Sequence, residues 1–402
     1  MTIDHVSRPR AGLALGVLFT GAFVMGTAEM LAVGMLDLIA TDLAVSVPAA
    51  GALVTANALG LAAGGPLLTL ATTRLDRRAV LLGSIVAFVA LVLLPVLAPH
   101  YALFVGARVL AGAAQGLFIA AGITTATAIV APERTGRAMA VVISGFATAS
   151  ALGLPLGTLL GQAVGWRGAF AVVAAVAFLV LGGALPTLPS VPPAPGERVR
   201  GQLRPALAPR VLAVLLVCIV VFAAIQSALT YLVPYLAAIA GVSGAATGAF
   251  LLAYGIATTA GSALGGRFAD VDAARTLVVG AIGVAASLLT LWLLGQEPVA
   301  AGLAVLGIGV FGMGMAPSMQ HRVSTLSGAG APLAASFPSS AVNIGIALGS
   351  LAGGIAIDRA GLGAIGPTAT AIAVCAIAVA ASTLRLHAPA TADVVASTAK
   401  GR

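Results

Sequence analysis

Glu29 stands in the middle of GTAEMLAVGML, inside an apolar run that extends from Gly12 to about Leu36. A run of that length spans a bilayer. A carboxylate inside a span costs several kcal/mol when ionised and unpaired, so such groups turn away from lipid and attach to an ion or substrate pathway. The chemistry it offers is reversible protonation. Arg108 is a possible partner: it lies seven residues, about 10 Å, below Tyr101 at the start of a later run, while Glu29 lies eight residues, about 12 Å, below Asp37. The two charges are therefore at similar depth. If their helices are neighbours, each relieves the other's desolvation and the pair forms a protonation switch; the alternative is a static structural pair. Asp37, at a span end where water solvates it, is a second-rank coupling candidate.

Other polar residues fall near mid-depth. Asn57, Tyr254 and Asn343 each lie nine to eleven residues into an apolar run, with Gln115, Gln226, Tyr231 and Tyr235 ranked behind them as substrate contacts. Interhelical hydrogen bonding is the competing use of such groups. Gly153, Gly157 and Gly161 recur every fourth residue, as do Gly345, Gly349 and Gly353, giving two helices a flat face for close backbone approach. Pro155 adds a place to bend, which a gate between packed faces would use.

The elements that must position these groups follow from composition. Of 402 residues, 60% are hydrophobic and only 8% charged, and the mean hydropathy is +1.11, which excludes an ordinary soluble domain and implies an all-helical, polytopic membrane protein. Cys218 and Cys375 both lie in apolar runs, so neither a disulfide framework nor a metal site is expected. The net charge of +8 raises nucleic acid as a partner, but the 20 Lys and Arg sort by topology instead. With the amino terminus inside, Arg167 and Arg359 fall in outer loops, Arg108 falls in a span, and all others lie at the inner face. This positive-inside bias predicts both termini in the cytoplasm and no nucleic-acid partner. The first span is too long for a signal peptide and is expected to be retained.

Twelve spans are predicted. Residues 1–11 form a basic cytoplasmic arm, 12–185 a first six-helix bundle, 186–210 a cytoplasmic linker, 211–386 a second six-helix bundle, and 387–402 a tail. The linker carries seven prolines, two glycines and four arginines without apolar periodicity. Span 10 is expected to end near Met319 and span 11 to begin near Leu333. The halves repeat: Gly64, Arg78 and Gly83 match Gly261, Arg275 and Gly280 at an offset of 197, and GLPLGTLLG from Gly153 matches GIALGSLAG from Gly345 at 192. A parallel repeat implies two pseudo-symmetric bundles with a substrate cavity near the midplane. The 197 offset puts Gln226 opposite Glu29, so the charge exists in the first half only. No GxxxxGK[ST], GxSxG or HExxH sequence is present, which argues against an enzyme; no cofactor is implied, and energy must come from a gradient.

These residues resemble the major facilitator superfamily, and more narrowly its twelve-span drug:proton antiporters close to bacterial chloramphenicol and arabinose efflux permeases. RVLAGAAQG at Arg108–Gly116 resembles the RxxxGxxxG motif, whose arginine the family associates with proton coupling. GLPLGTLLGQ from Gly153, followed by Gly165, Trp166 and Arg167, resembles the antiporter motif, and MGTAEMLAVGML resembles GxxEFxxxGLLP with Met30 at the aromatic position. The loop after span 2 departs from GxxxDRxGRR: Thr73 occupies the acidic position, although Arg74, Arg77 and Arg78 remain. Its second-half counterpart, Gly266–Arg275, retains Asp270. Since the resemblance ties this loop to gating, it places Arg74, Arg78, Asp270 and Arg275 in the gate.

The combined expectation is a monomeric carrier in the bacterial inner membrane that exports a small lipophilic compound, such as a chloramphenicol-like drug, in exchange for protons. A sugar or metabolite exporter is the alternative within transport. The 5% aromatic content is low for sugar recognition. A transport-inactive receptor or scaffold is the alternative outside it, and would call for an added soluble domain or long tail.

Overall fold

The computed structural model describes residues 8–98, 100–192 and 205–387. The arm, the linker and the tail expected over 1–11, 186–210 and 387–402 fall wholly or partly outside them. Every regular element among the described residues is helical. In hydrocarbon the backbone must satisfy its own polar groups, and a helix does so within one segment.

Ten continuous helices are long and apolar enough to cross a membrane, but Thr135–Thr187 and Ala246–Leu294 run to 53 and 49 residues. A crossing needs about 20. Each long helix breaks at one residue, Gly165 (φ 70°, ψ 169°) or Asp272 (φ −155°, ψ 91°). The chain thus makes twelve spans: α1 Arg8–Gly34, α2 Val47–Ala71, α3 Arg77–Leu97, α4 Tyr101–Ala128, α5 135–164, α6 166–187, α7 Pro209–Leu229, α8 245–271, α9 273–294, α10 Pro298–Ser327, α11 Phe337–Ala360 and α12 Leu362–Arg385. They form two six-helix bundles. Two compact units emerge from the contacts, one drawn from Met1–Ala194 with Gly244–Leu252, the other from Pro195–Ser243 with Ala253–Arg402.

Local sequence explains the ends. Ser46 caps α2, its hydroxyl accepting from the Ala49 N–H at 3.2 Å, and Asp76 caps α3, its Oδ1 accepting from the Arg78 and Ala79 N–H groups at 2.9 and 3.4 Å. The turns after α5 and α11 use Gly165 and Gly361, both with positive φ and 196 residues apart, because a side chain there is strained. The boundaries on either side of the α10–α11 connection differ from expectation. α10 continues to Ser327, since the polar QHRVSTLS segment stays helical after the apolar stretch ends, and α11 starts at Phe337 after two short turns.

The internal repeat extends to packing. Gly64 of α2 faces Ala113 of α4, and Gly261 of α8 faces Val310 of α10, so both members of the contact recur at the offset of 197. The glycine face of α5 lies on α1: a Cβ at Gly157 would stand 2.9 Å from Leu31 Cα, and one at Gly153 3.2 Å from Thr27 Cα. The face of α11 lies on α7 in the same way, with Gly345 and Gly349 against Ala223. Pro155 lies inside α5 among these glycines. The sequence gives no sign of the five-residue π-helical turn Gly60–Gly64 in α2, where Gly60 is pressed onto the Val109 carbonyl of α4.

Candidate functional site in the first bundle

Among the described residues Glu29 and Arg108 are the only buried charged side chains, each 3% exposed. α1 and α4 run antiparallel past one another, and the small residues of RVLAGAAQG let α4 close in on α2, where a Cβ at Gly112 would collide with the Asn57 carbonyl. That closeness sets what Arg108 can reach. Its Nε donates to Leu53 O of α2 at 3.3 Å and its Nη1 to Ala28 O of α1 at 3.1 Å, while Nη2 has no partner among the described residues.

Arg108 therefore touches the residue before Glu29. The direct ion pair is not formed. The ion pairs among the described residues are Arg167–Asp42 and Arg275–Asp272. Glu29 Oε2 instead accepts a 2.9 Å hydrogen bond from Gln115 Nε2, seven residues further along α4. Depth fixes a level on the helix axis but not the direction of a side chain. Helical side chains lean toward the amino terminus of their own helix, which carries the Glu29 carboxylate toward Gln115 and away from Arg108.

The remaining predicted residues separate by what holds them. Asn57 is buried in α2 and its Nδ2 has no partner. Tyr254 lines, with Leu229, Leu232, Leu291, Val305 and Ile308 of the second unit, an apolar crevice that has no room for a water molecule. Gln226 is buried in α7. Tyr231 donates to Ser350 O at 2.9 Å, Tyr235 to Leu291 O at 2.7 Å, and Asn343 to Ser339 O of its own helix at 2.9 Å. Asp37 is half-buried in the short helix Leu36–Asp42, beyond a break at Met35.

The loop residues also have definite places. Arg78 Nη2 donates to Leu185 O at 2.6 Å and so closes the end of α6. Arg74 is exposed, and Asp270 is exposed with no ion pair among the described residues; the ion pair described in this loop joins Arg275 Nε to Asp272 at 3.2 Å. Asp272 also accepts from the Arg275 N–H at 3.0 Å, so its carboxylate is fixed by its own turn.

One cluster was not anticipated as a unit. Asp42 accepts from Trp166 Nε1 at 2.9 Å and from Arg167 Nη1 at 2.8 Å, and the Arg167 guanidinium sits 4.7 Å from the Trp166 ring centre. Trp166 stacks on Phe104 at 5.3 Å. The hydrogen bond from Arg167 holds the Asp42 carboxyl below the usual carboxylate range, with Trp166 adding to it. The signal in the sequence was the GWRG turn, which holds one of two tryptophans in the chain.

Comparison with known proteins agrees with this architecture. The family model described as Major Facilitator Superfamily matches residues 18–329. A chloramphenicol resistance protein of Streptomyces lividans is 32% identical over 84% of this chain and 88% of its own length. The inner membrane transport protein YdhP of Escherichia coli (strain K12) is 29% identical over 87% of this chain and 89% of its own. Among solved structures, a bacterial homologue of the human lysosomal transporter Spinster superposes with a TM-score of 0.79 over 98% of both chains at 15% identity, a likeness of fold. With twelve spans in two repeated bundles, and a family match over most of its length, this chain belongs to the Major Facilitator Superfamily.

Proposed function

We propose that this chain is a proton-coupled exporter of a small, largely apolar compound, with Glu29 as the proton carrier and chloramphenicol as the first substrate to test. The observation that carries the reading is Glu29 itself: a carboxylate sealed inside a span, held by a neutral amide, with the only other charge buried among the described residues one residue away along α1. Such a group changes charge when it takes up or gives off a proton, and the change in charge biases alternating access between the bundles. The similarity to a chloramphenicol resistance protein supports the choice of substrate.

In this reading Arg108 tunes Glu29, and Asp37 is the second coupling candidate. Asn57 meets the substrate through its unpaired amide N–H groups, with Tyr254, Gln226 and Asn343 beside it. Tyr231 serves the packing of α7 on α11. The glycine faces and Pro155 form the moving joints, with Arg74, Arg78, Asp270 and Arg275 at the inner gate. The protein works as a monomer in the bacterial inner membrane with both termini in the cytoplasm.

The test is a growth-inhibition panel, including chloramphenicol and arabinose, in an efflux-deficient host expressing the chain. Raised tolerance to lipophilic compounds is expected. Tolerance changed by arabinose alone would replace this reading with sugar export.

A further inference from the structure

We infer that Gln115 is a positioning residue that parks Glu29 away from Arg108, and that the Glu29 side chain moves from Gln115 to the unpaired Nη2 of Arg108 when it loses its proton. This rests on the reading of Glu29 as proton carrier. It replaces a fixed ion pair with two positions for one carboxylate.

Four observations carry it. Gln115 Nε2 holds Glu29 Oε2 at 2.9 Å. Arg108 Nη1 holds Ala28 O at 3.1 Å, which places the guanidinium beside the peptide from which the Glu29 side chain springs. Arg108 Nη2 is buried and has no partner among the described residues, an unmet donor on a charged group. Glu29 and Arg108 form no ion pair although they are the only charges buried among the described residues. A neutral carboxyl uses both the donor and the acceptor of an amide, whereas an ionised one, which only accepts, uses the donor alone. A guanidinium–carboxylate bond is charge-assisted on both sides, and charge-assisted bonds are about twice as strong as those between neutral groups. The neutral acid is therefore content with Gln115, and the anion gains by turning to Arg108. The turn is a change between staggered χ1 and χ2 wells. The proton leaves the carboxyl oxygen for water on the side then open, and the electron pair stays on the carboxylate.

Competing groups are distant or occupied. α2 carries no titratable side chain. α3 has Arg77 and Arg78 at its first residues, where Arg77 donates to Thr72 O and Thr73 O and Arg78 to Leu185 O. On α4, Tyr101 donates to Ala49 O at 2.8 Å. α5 has Arg137 at its first turn, and Arg167, just beyond its other end, is held by Asp42.

The experiment is solid-state NMR on the full chain in lipid, with labelled Arg, Gln and Glu, reading contacts from Glu29 Cδ to Arg108 Nη and to Gln115 Nε at about pH 5 and about pH 10, a range that brackets buried carboxylates. Glu29→Gln assigns the Glu29 signals. The Gln115 contact is expected at the acid end and the Arg108 contact at the alkaline end, and Gln115→Leu is expected to show the Arg108 contact at both. A Glu29–Gln115 contact that persists at both pH values in the wild type overturns the inference, whatever Gln115→Leu does. Loss of uphill export in Glu29→Gln with that persistent contact would leave the proton-carrier reading standing and remove only the exchange.

Discussion

Gly161 of α5 lies against Met35, the residue at which α1 breaks, with 2.6 Å between its would-be Cβ and Met35 Cγ. The second half repeats this. Gly353 of α11 faces Tyr231, the residue that starts the short helix after α7, with 2.9 Å between its would-be Cβ and the ring. Each bundle thus has a broken helix whose break is seated on the last glycine of a facing ladder. A helix that is already interrupted can reorient its outer segment without breaking further hydrogen bonds.

Substitutions on these ladders are expected to act through the backbone. Gly157→Leu and Gly349→Leu place side chains into Leu31 and Ala223, which cannot give way without moving α1 or α7. Overpacking of this kind costs about 1–3 kcal/mol. Lower melting temperatures of the purified proteins and impaired efflux, with membrane insertion retained, are the expected outcome. Gly83 is the control: nothing lies within 4 Å of a Cβ there, so Gly83→Ala should stabilise by about 0.4–1 kcal/mol. Wild-type efflux from both leucine variants would reduce the ladders to incidental small residues.

The Asp42–Arg167 contact gives a pH prediction. The folded-state Asp42 carboxyl is held below its ordinary value by Arg167. A depressed acid contributes stability above its unfolded value, about 3.9 for Asp, and loses it as pH falls through the lower folded value. Both side chains are more than a third exposed, so the contribution is below about 1 kcal/mol. Asp42→Asn should melt slightly below wild type at neutral pH, and the two curves should converge in strong acid. A gap that widens as pH falls would mean that the pair does not act through the carboxylate charge.

Topology is open to a direct check. Reporter fusions at Gly196 and at the carboxyl terminus should both read cytoplasm, and one at Gly241 the outside, as the distribution of Lys and Arg requires. A periplasmic carboxyl terminus would contradict the orientation.

The spans, the repeat and the glycine ladders were legible in the sequence because hydropathy and spacing are properties of the chain read in order. Partners were less so. Depth along a helix placed Arg108 level with Glu29, yet gave no means of knowing that the Glu29 side chain would lean to Gln115. The same limit hid the use of Tyr231 and Asn343, whose polar groups turn to backbone carbonyls. Asp42 and Arg167 are 125 residues apart, and only the packing of the bundle brings them together. The π-helical turn at Gly60–Gly64 arises where α2 meets α4, so no local pattern announces it.

The central claim is that Glu29 carries the coupled proton, and its most direct test is uphill transport by purified Glu29→Gln protein in vesicles with an imposed pH gradient. Gln keeps the shape and hydrogen bonding of Glu but cannot titrate. The panel described above supplies the compound, beginning with chloramphenicol. Uphill accumulation should fall to the level of empty vesicles and substrate-induced proton release should vanish, while exchange down a substrate gradient persists. Uphill transport by Glu29→Gln at the wild-type rate would contradict the account and move the coupling site to Asp37.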